Sequence, residues 1–414
     1  MTRALLLLSL SSALLASGCG FNQTVTLRWT VGGDPGSIAA FRTLADRFED
    51  QHPEIRVQIE ALAPQTDFQH RYYSATLGSA DSAGVDVLSG DVIWTAEFAE
   101  RGWIRPLDAH FPESEREKFL APPMESVTWR EQTWGVPFFT DLGVLFYRQD
   151  LLTKHGFQPP RTFPELEEQA KRIAAAEGIS GYLWQGAPSE GLVCNVMEVV
   201  SGAGGRVLDD DGEVRLTDPE TLQAMRWLAG LPGSVSPRQV RSAWEETGRI
   251  AFVNGESVFL RNWPYVWAIA QGPGSAVKGK VGVAPIPSFD GHGSSPTLGG
   301  WNLMMASGSR HPREAWKLIA FLTRPESQTF MALESGRLPT RHAVYQDPEV
   351  QARAPLMTEL YPQALKARPR PMTPDYARLS GVLQREIGAM LRGDASPEEA
   401  LSRAQSQLER PADH

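Results

Sequence analysis
Apolar residues alternate at Val25, Leu27 and Trp29, the period of a strand, and then recur at Ile38, Phe41, Ala45 and Phe48, the period of a helix. Alternation returns at Ile55, Val57 and Ile59, so the chain opens β-α-β. VDVLSGDVIW (85–94) reads as the next strand, ending at Asp91, and TAEFAERG as the short helix behind it. Open α/β sheets present their ligand-facing side chains at such strand ends.

Beyond a helical stretch near 113–121, SVTWREQTWGVPFF predicts a hairpin that leads into the strand and helix of TDLGVLFYRQDLL. Thr162 and the early proline of TFPELEEQAKRIAAAEG mark a helix start. RVLDDDGEVRLTD folds back around Asp211 and Gly212; with Gly212 at position six of a calcium loop, position one would fall on Val207, so the acids read as a turn. DPETLQAMRWLAGL and EETGRIAFVNG follow as helices, and SVFL, VGVAPIP and LGGWNLMMA as strands. HPREAWKLIAFL, PESQTFMALESG, DYARLSGVLQREIGAMLRG and SPEEALSRAQSQL make the last third helical. Because strands at 281–305 precede it, that third is not a separate helical domain, and the chain crosses between units more than once.

The first residues, MTRALLLLSLSSALLASGCG, lie outside this pattern. Arg3, the apolar run Ala4–Leu15 and the small residues up to Cys19 have the layout of a secretory signal, and the run is shorter than the ~20 residues of a membrane span. Ala16-Ser17-Gly18-Cys19 resembles a bacterial lipobox, with Leu15 one position further back than the usual leucine; this predicts lipidation at Cys19, the alternative being an ordinary cleaved signal with an incidental cysteine. Cys194, in the apolar stretch LVCNVMEVV, is then left without a disulfide partner and reads as a small buried hydrophobe.

Composition narrows the function. The 414 residues, less the leader, suffice for two domains with substantial cores, and the net charge of −9 argues against a nucleic-acid partner, which requires a basic face. Lys366, Arg368 and Arg370 form the one dense basic patch. The 8 histidines include no HExxH and no pair at ligand spacing, so neither a metal nor a cofactor is expected. GSAVKGKV (274–281) misses a phosphate loop because Val281 stands where Ser or Thr must hold magnesium; GAGGRV lacks the third glycine of a dinucleotide fingerprint, and no GxSxG occurs. The 12 tryptophans exceed what such a core needs, and LRNWPYVWAIAQ (260–271) gathers Trp263, Tyr265 and Trp267.

GDVIWTAEFAERGWIRPLD, PFFTDLGVLFYRQDLL, GGRVLDDDGEV, FVNGES with RNWPYVWAIA, LGGWNLMMA and RPRPMTPDYARLS together resemble the extracellular solute-binding proteins of bacterial ABC importers, most of all the trehalose/maltose-binding lipoproteins. The resemblance implies a two-lobed, periplasmic-binding-protein-like α/β fold with discontinuous lobes, 24–138 with 288–339 and 139–287 with 340–410. Hinge strands would cross near Phe138–Asp141, Ala284–Pro287 and Leu338–Thr340. It also implies a monomeric, extracytoplasmic receptor, held to the membrane through Cys19, that hands a disaccharide such as trehalose or maltose to a permease.

Sugar chemistry fits those residue types. A pyranose has an apolar C–H face and a rim of hydroxyls, so its site needs flat aromatic surfaces and fixed polar partners. By resemblance, Trp263, Tyr265 and Trp301 are stacking residues, and Gly300 permits close backbone approach. Asp91 and Asp141 are hydroxyl acceptors, Asp34 is a polar contact from the VGGDP loop, and Arg370 is the guanidinium, with Arg368 the alternative register. Each also has a structural alternative: Trp263 opening a core-packed helix as Trp267 does, Asp141 bracing the hinge, Asp34 a turn residue before Pro35, and the arginines a solvated face. The rival class is a secreted glycoside-processing enzyme using Asp91 and Asp141 across a glycosidic bond. Within the receptor class, glycerol phosphate and an oligosaccharide are the alternative ligands.

Overall fold
The computed structural model describes residues 24–33, 35–79, 84–209, 211–289, 293 and 296–410. The leader with Cys19, and Asp34, lie outside the described residues. The strands run β1 (Val25–Gly32), β2 (Ile55–Leu62), β3 (Val87–Asp91), β4 (Thr128–Trp129), β5 (Gln132–Thr133), β6 (Val136–Leu142), β7 (Val144–Arg148), β8 (Ser180–Leu183), β9 (Ser257–Asn262), β10 (Val281–Pro285) and β11 (Leu298–Met305). They build a sheet of order β2-β1-β3-β11-β6, a second of order β10-β7-β9-β8, and the small β4-β5 hairpin.

In the first sheet β1 runs parallel to β2 and β3, while β11 is antiparallel to β3 and β6. Of the alternation read from the sequence, Leu27 and Trp29 enter the core, joined by Val31, and Val25 is partly buried. Helix Pro35–Gln51 covers them with Ile38, Phe41, Leu44 and Phe48. Trp29 meets Phe41 at 5.4 Å and Phe138 at 6.0 Å between ring centroids. Burying each such side chain contributes about 1.5–3 kcal/mol. In the second sheet every residue of β9 is buried, and Phe146 and Leu260 pack with Phe252, Val266 and Tyr345.

Gly143 alone separates β6, in the first sheet, from β7, in the second. The chain returns between β10 and β11, and bridges Thr140–Leu338 and Thr297–Arg368 lay two later segments beside these crossings.

Local signals were placed as the sequence predicts. Thr162 and Glu165 form a reciprocal capping box, as do Ser396 and Glu399, and helices end on left-handed Gly336 and Gly393. Asp209 accepts from the amides of Asp211 at 3.0 Å and Glu213 at 2.9 Å, so the acidic run is a turn. Strand β8 and helices Thr66–Leu77, Pro348–Arg353 and Pro355–Ala364 were not expected. SGYL is too short to show alternation, and Thr66–Leu77 buries only Gln69, Tyr73 and Leu77.

Candidate functional site
The register of the first sheet assembles a ledge. Asp91, the last residue of β3, lies opposite Trp301 of β11, and Asp141 of β6 lies opposite Gly299. Two carboxylates, 50 positions apart in the chain, thus flank Gly299, Gly300 and Trp301 at the edge where the parallel strands end. Trp301 is half-buried and meets Trp94 edge-on, 5.7 Å between centroids. Gly300 has a φ of 128°, and a Cβ there would stand 2.6 Å from the Phe139 carbonyl oxygen. Only glycine fits that backbone.

Asp91 is buried and held through both carboxylate oxygens. Its Oδ1 accepts from Arg370 Nη2 at 2.9 Å and from the Ile93 amide at 3.3 Å, and its Oδ2 accepts from Thr66 Oγ1 at 3.3 Å. Arg370 also donates through Nη1 to Glu190 Oε1 at 2.6 Å, while its buried Nε has no hydrogen-bond partner among the described residues. Glu190 further accepts from the hydroxyls of Tyr376, at 2.5 Å, and Ser380, at 2.6 Å. Burial pushes the Asp91 and Glu190 carboxyls above the ordinary range, and the Arg370 charge pulls them part of the way back. Arg368, the other register of the RPRP run, is exposed; Arg370 is the one brought to Asp91.

On the far side of the ledge, Arg337 Nη1 donates to Asp141 Oδ2 at 3.3 Å, and its Nε and Nη2 donate to Ser37 Oγ at 3.2 and 3.1 Å. The Arg337 guanidinium carbon lies 5.0 Å from the ring centres of both Phe139 and Tyr265. Tyr265 is buried and donates to Glu246 Oε1 at 2.6 Å; burial and that carboxylate hold its hydroxyl protonated. Trp263 is half-buried beside Gly299, where a Cβ would come within 3.0 Å of its ring. Trp267 is also half-buried and packs on the core of the second sheet.

The structure therefore gathers Asp91, Gly300, Trp301 and Arg370 in one neighbourhood and Asp141, Trp263 and Tyr265 in the adjoining one, with β11 between. Sequence reading missed Glu190, Arg337, Glu246, Tyr376 and Ser380. Tyr376, six residues past Arg370 in the RPRPMTPDY run, was the one with a local signal. Cys194 is buried in helix Glu190–Gly202, and burial raises its thiol. Among the described residues no group of three or more His, Cys, Asp or Glu could hold a metal, and no helix is long and apolar enough to cross a membrane.

The family model of the bacterial extracellular solute-binding proteins matches residues 32–329. The chain belongs to that family. A probable ABC transporter-binding protein of Deinococcus radiodurans is 33% identical over 364 residues, 86% of each chain. The maltose-bound MalE3 of T. maritima is 39% identical, with a TM-score of 0.89 over 93% of this chain and 99% of that one. The GacH receptor of Streptomyces glaucescens, solved unliganded and with acarbose, is 26% identical with a TM-score of 0.83, covering 93% of this chain and 97% of that one. This solute-binding protein thus has the two-lobed α/β fold of the maltose-binding type. Its relatives and structural neighbours are substrate-binding proteins, and it is a binding protein and not an enzyme.

Proposed function
We propose that this protein captures a disaccharide of the α-glucoside type, such as maltose or trehalose, and delivers it to the permease of an ABC importer. The arrangement that carries the reading is the ledge of Asp91, Gly299–Trp301 and Asp141, faced by Arg370 and Trp263. Indole faces suit the C–H side of a pyranose, and ionised carboxylates accept strong bonds from neighbouring hydroxyls. Arg370 holds Asp91 at the ledge, and Gly300 brings the backbone within reach of the ring.

Each sheet would be the centre of one lobe, with the β6–Gly143–β7 passage as a hinge. A sugar bound between them favours the shut form because it touches both. Lipidation at Cys19 would hold the receptor at the outer side of the cell membrane, and a single shut monomer would dock on the permease. The kinship with the maltose-bound MalE3 of T. maritima supports the choice of sugar. Maltotriose is the first competitor, because a 24% identical relative covering 77% of this chain and 67% of its own length is the maltotriose-binding protein of Pyrococcus abyssi.

A thermal-shift panel of maltose, trehalose, maltotriose and glycerol phosphate on the chain without its leader tests the reading. A ligand at 1,000 times its Kd adds about 4.1 kcal/mol to the folded form and raises Tm by several degrees. A shift with an α-glucoside is the expected result; no shift with any of the three sugars counts against the proposal.

A further inference from the structure
Arg261 and Glu198 form an ion pair with side chains 1% and 2% exposed. The geometry is a fork: Arg261 Nε donates to Glu198 Oε2 at 2.8 Å and Nη2 to Glu198 Oε1 at 2.5 Å. Its third nitrogen, Nη1, donates to Gln185 Oε1 at 3.0 Å, and Asn195 Nδ2 donates to that same oxygen at 2.9 Å. Gln185 Nε2 in turn donates to the Arg261 carbonyl oxygen at 3.0 Å. All three guanidinium nitrogens are thereby engaged and the plane of the group is held.

That plane lies under Trp263, with the guanidinium carbon 4.2 Å from the ring centre. Trp263 is further tied by its amide, which donates to Asn262 Oδ1 at 2.8 Å, and Asn262 Nδ2 donates to the Glu245 carbonyl oxygen at 3.0 Å. The pair also touches both inter-sheet crossings. A Cβ at Gly143, the single residue between β6 and β7, would overlap Glu198 Oε1 and come within 2.7 Å of Arg261 Nη2. The Thr297 amide, just before β11, donates to Glu198 Oε1 at 3.3 Å, and Thr297 Oγ1 donates to the Cys194 carbonyl oxygen at 3.2 Å.

A buried pair is seldom a net source of stability, since desolvation offsets its attraction. What this one supplies is position. We infer that Arg261, locked by Glu198, is a positioning residue that holds the Trp263 indole at the ligand ledge and ties its orientation to the two crossings. This rests on the proposal that Trp263 stacks on sugar. Arg261 touches no ligand; it fixes the angle of the ring that does.

The test is a double-mutant cycle of maltose affinity by calorimetry, using Trp263→Ala, the paired variant Arg261→Met with Glu198→Gln, and all three together. The paired variant leaves no uncompensated charge, and glutamine keeps the acceptor for Thr297. Losing the cation–π support is expected to weaken maltose binding about 3- to 30-fold. In the Trp263→Ala background the same paired change should cost nothing further. Equal loss in both backgrounds would overturn the inference, because a role in the crossings or the fold alone does not depend on the indole. If Trp263→Ala leaves affinity unchanged, or the wild type binds no maltose, the ligand reading of Trp263 falls first. Should the paired variant not fold, Arg261→Lys keeps the charge without the planar face; the same loss, again confined to proteins that retain Trp263, is expected.

Discussion

Asp91, Arg370 and Glu190 share one guanidinium between two buried carboxylates, with side chains at most 8% exposed. Removing the cation strands both acids, so Arg370→Met should lower unfolding free energy by about 3–5 kcal/mol in a denaturant titration. A loss below about 1 kcal/mol would mean the acids are solvated instead. Trp301, opposite Asp91 and half-buried, should act on binding: Trp301→Ala is expected to weaken maltose affinity by about 1–3 kcal/mol in calorimetry. Unchanged affinity would remove it from the site. Asp91 was legible because a strand end in an α/β pattern is a known place to look. Glu190 was not, since at the start of a helix an acid is accounted for by the N-terminal amides alone, and its partner Arg370 lies 180 positions away.

At the scale of elements, β11 gives adjacent glycines different roles. Gly300→Ala must take a φ of 128° and a Cβ 2.6 Å from a backbone oxygen, and should destabilise the fold by about 1–3 kcal/mol or more. At Gly299 φ is not in the left-handed region and the added Cβ meets Trp263 at 3.0 Å and Asp141 Cβ at 3.2 Å. Gly299→Ala is therefore expected to cost less melting temperature than Gly300→Ala and to lower sugar affinity, a contrast that scanning calorimetry and titration read separately. The hydrophobic period announced β1, β3 and the capped helices because each is long enough, or bounded clearly enough, to show it. The change of sheet at Gly143 left no such mark: a single residue between two apolar strands carries no period, so the expectation of a crossing near Phe138–Asp141 came from the resemblance alone and the pairing of strands puts the change of sheet at Gly143.

Over the whole molecule, contacts join the side of the first sheet to that of the second. Asp67, from the helix after β2, accepts from the Glu190 amide at 3.3 Å and from Gln384 Nε2 at 3.1 Å, next to the Asp91–Arg370 bridge. Acidity acts through the same junction. The folded Glu190 carboxyl titrates above its unfolded value, so its contribution is fully present below the ordinary glutamate pKa of about 4.3 and is lost as pH rises through the folded value. Measured against Glu190→Gln, in which that titration is gone, the wild type should lose melting temperature as pH climbs from about 4 toward neutrality. A difference that stays flat or changes in the opposite sense would contradict the assigned environment. The two-unit organisation was legible from strands recurring after helices and from the resemblance of ordered segments; the junction itself was not, because its polar groups meet only after both crossings have been made.

Closure on a sugar is measured most directly by small-angle X-ray scattering of the chain without its leader, with and without saturating maltose. The proposed mechanism predicts a smaller radius of gyration with maltose, reversed on its removal and reached in Trp301→Ala only at about 5- to 150-fold more sugar. Identical profiles with and without maltose, trehalose or maltotriose would contradict capture between two closing lobes.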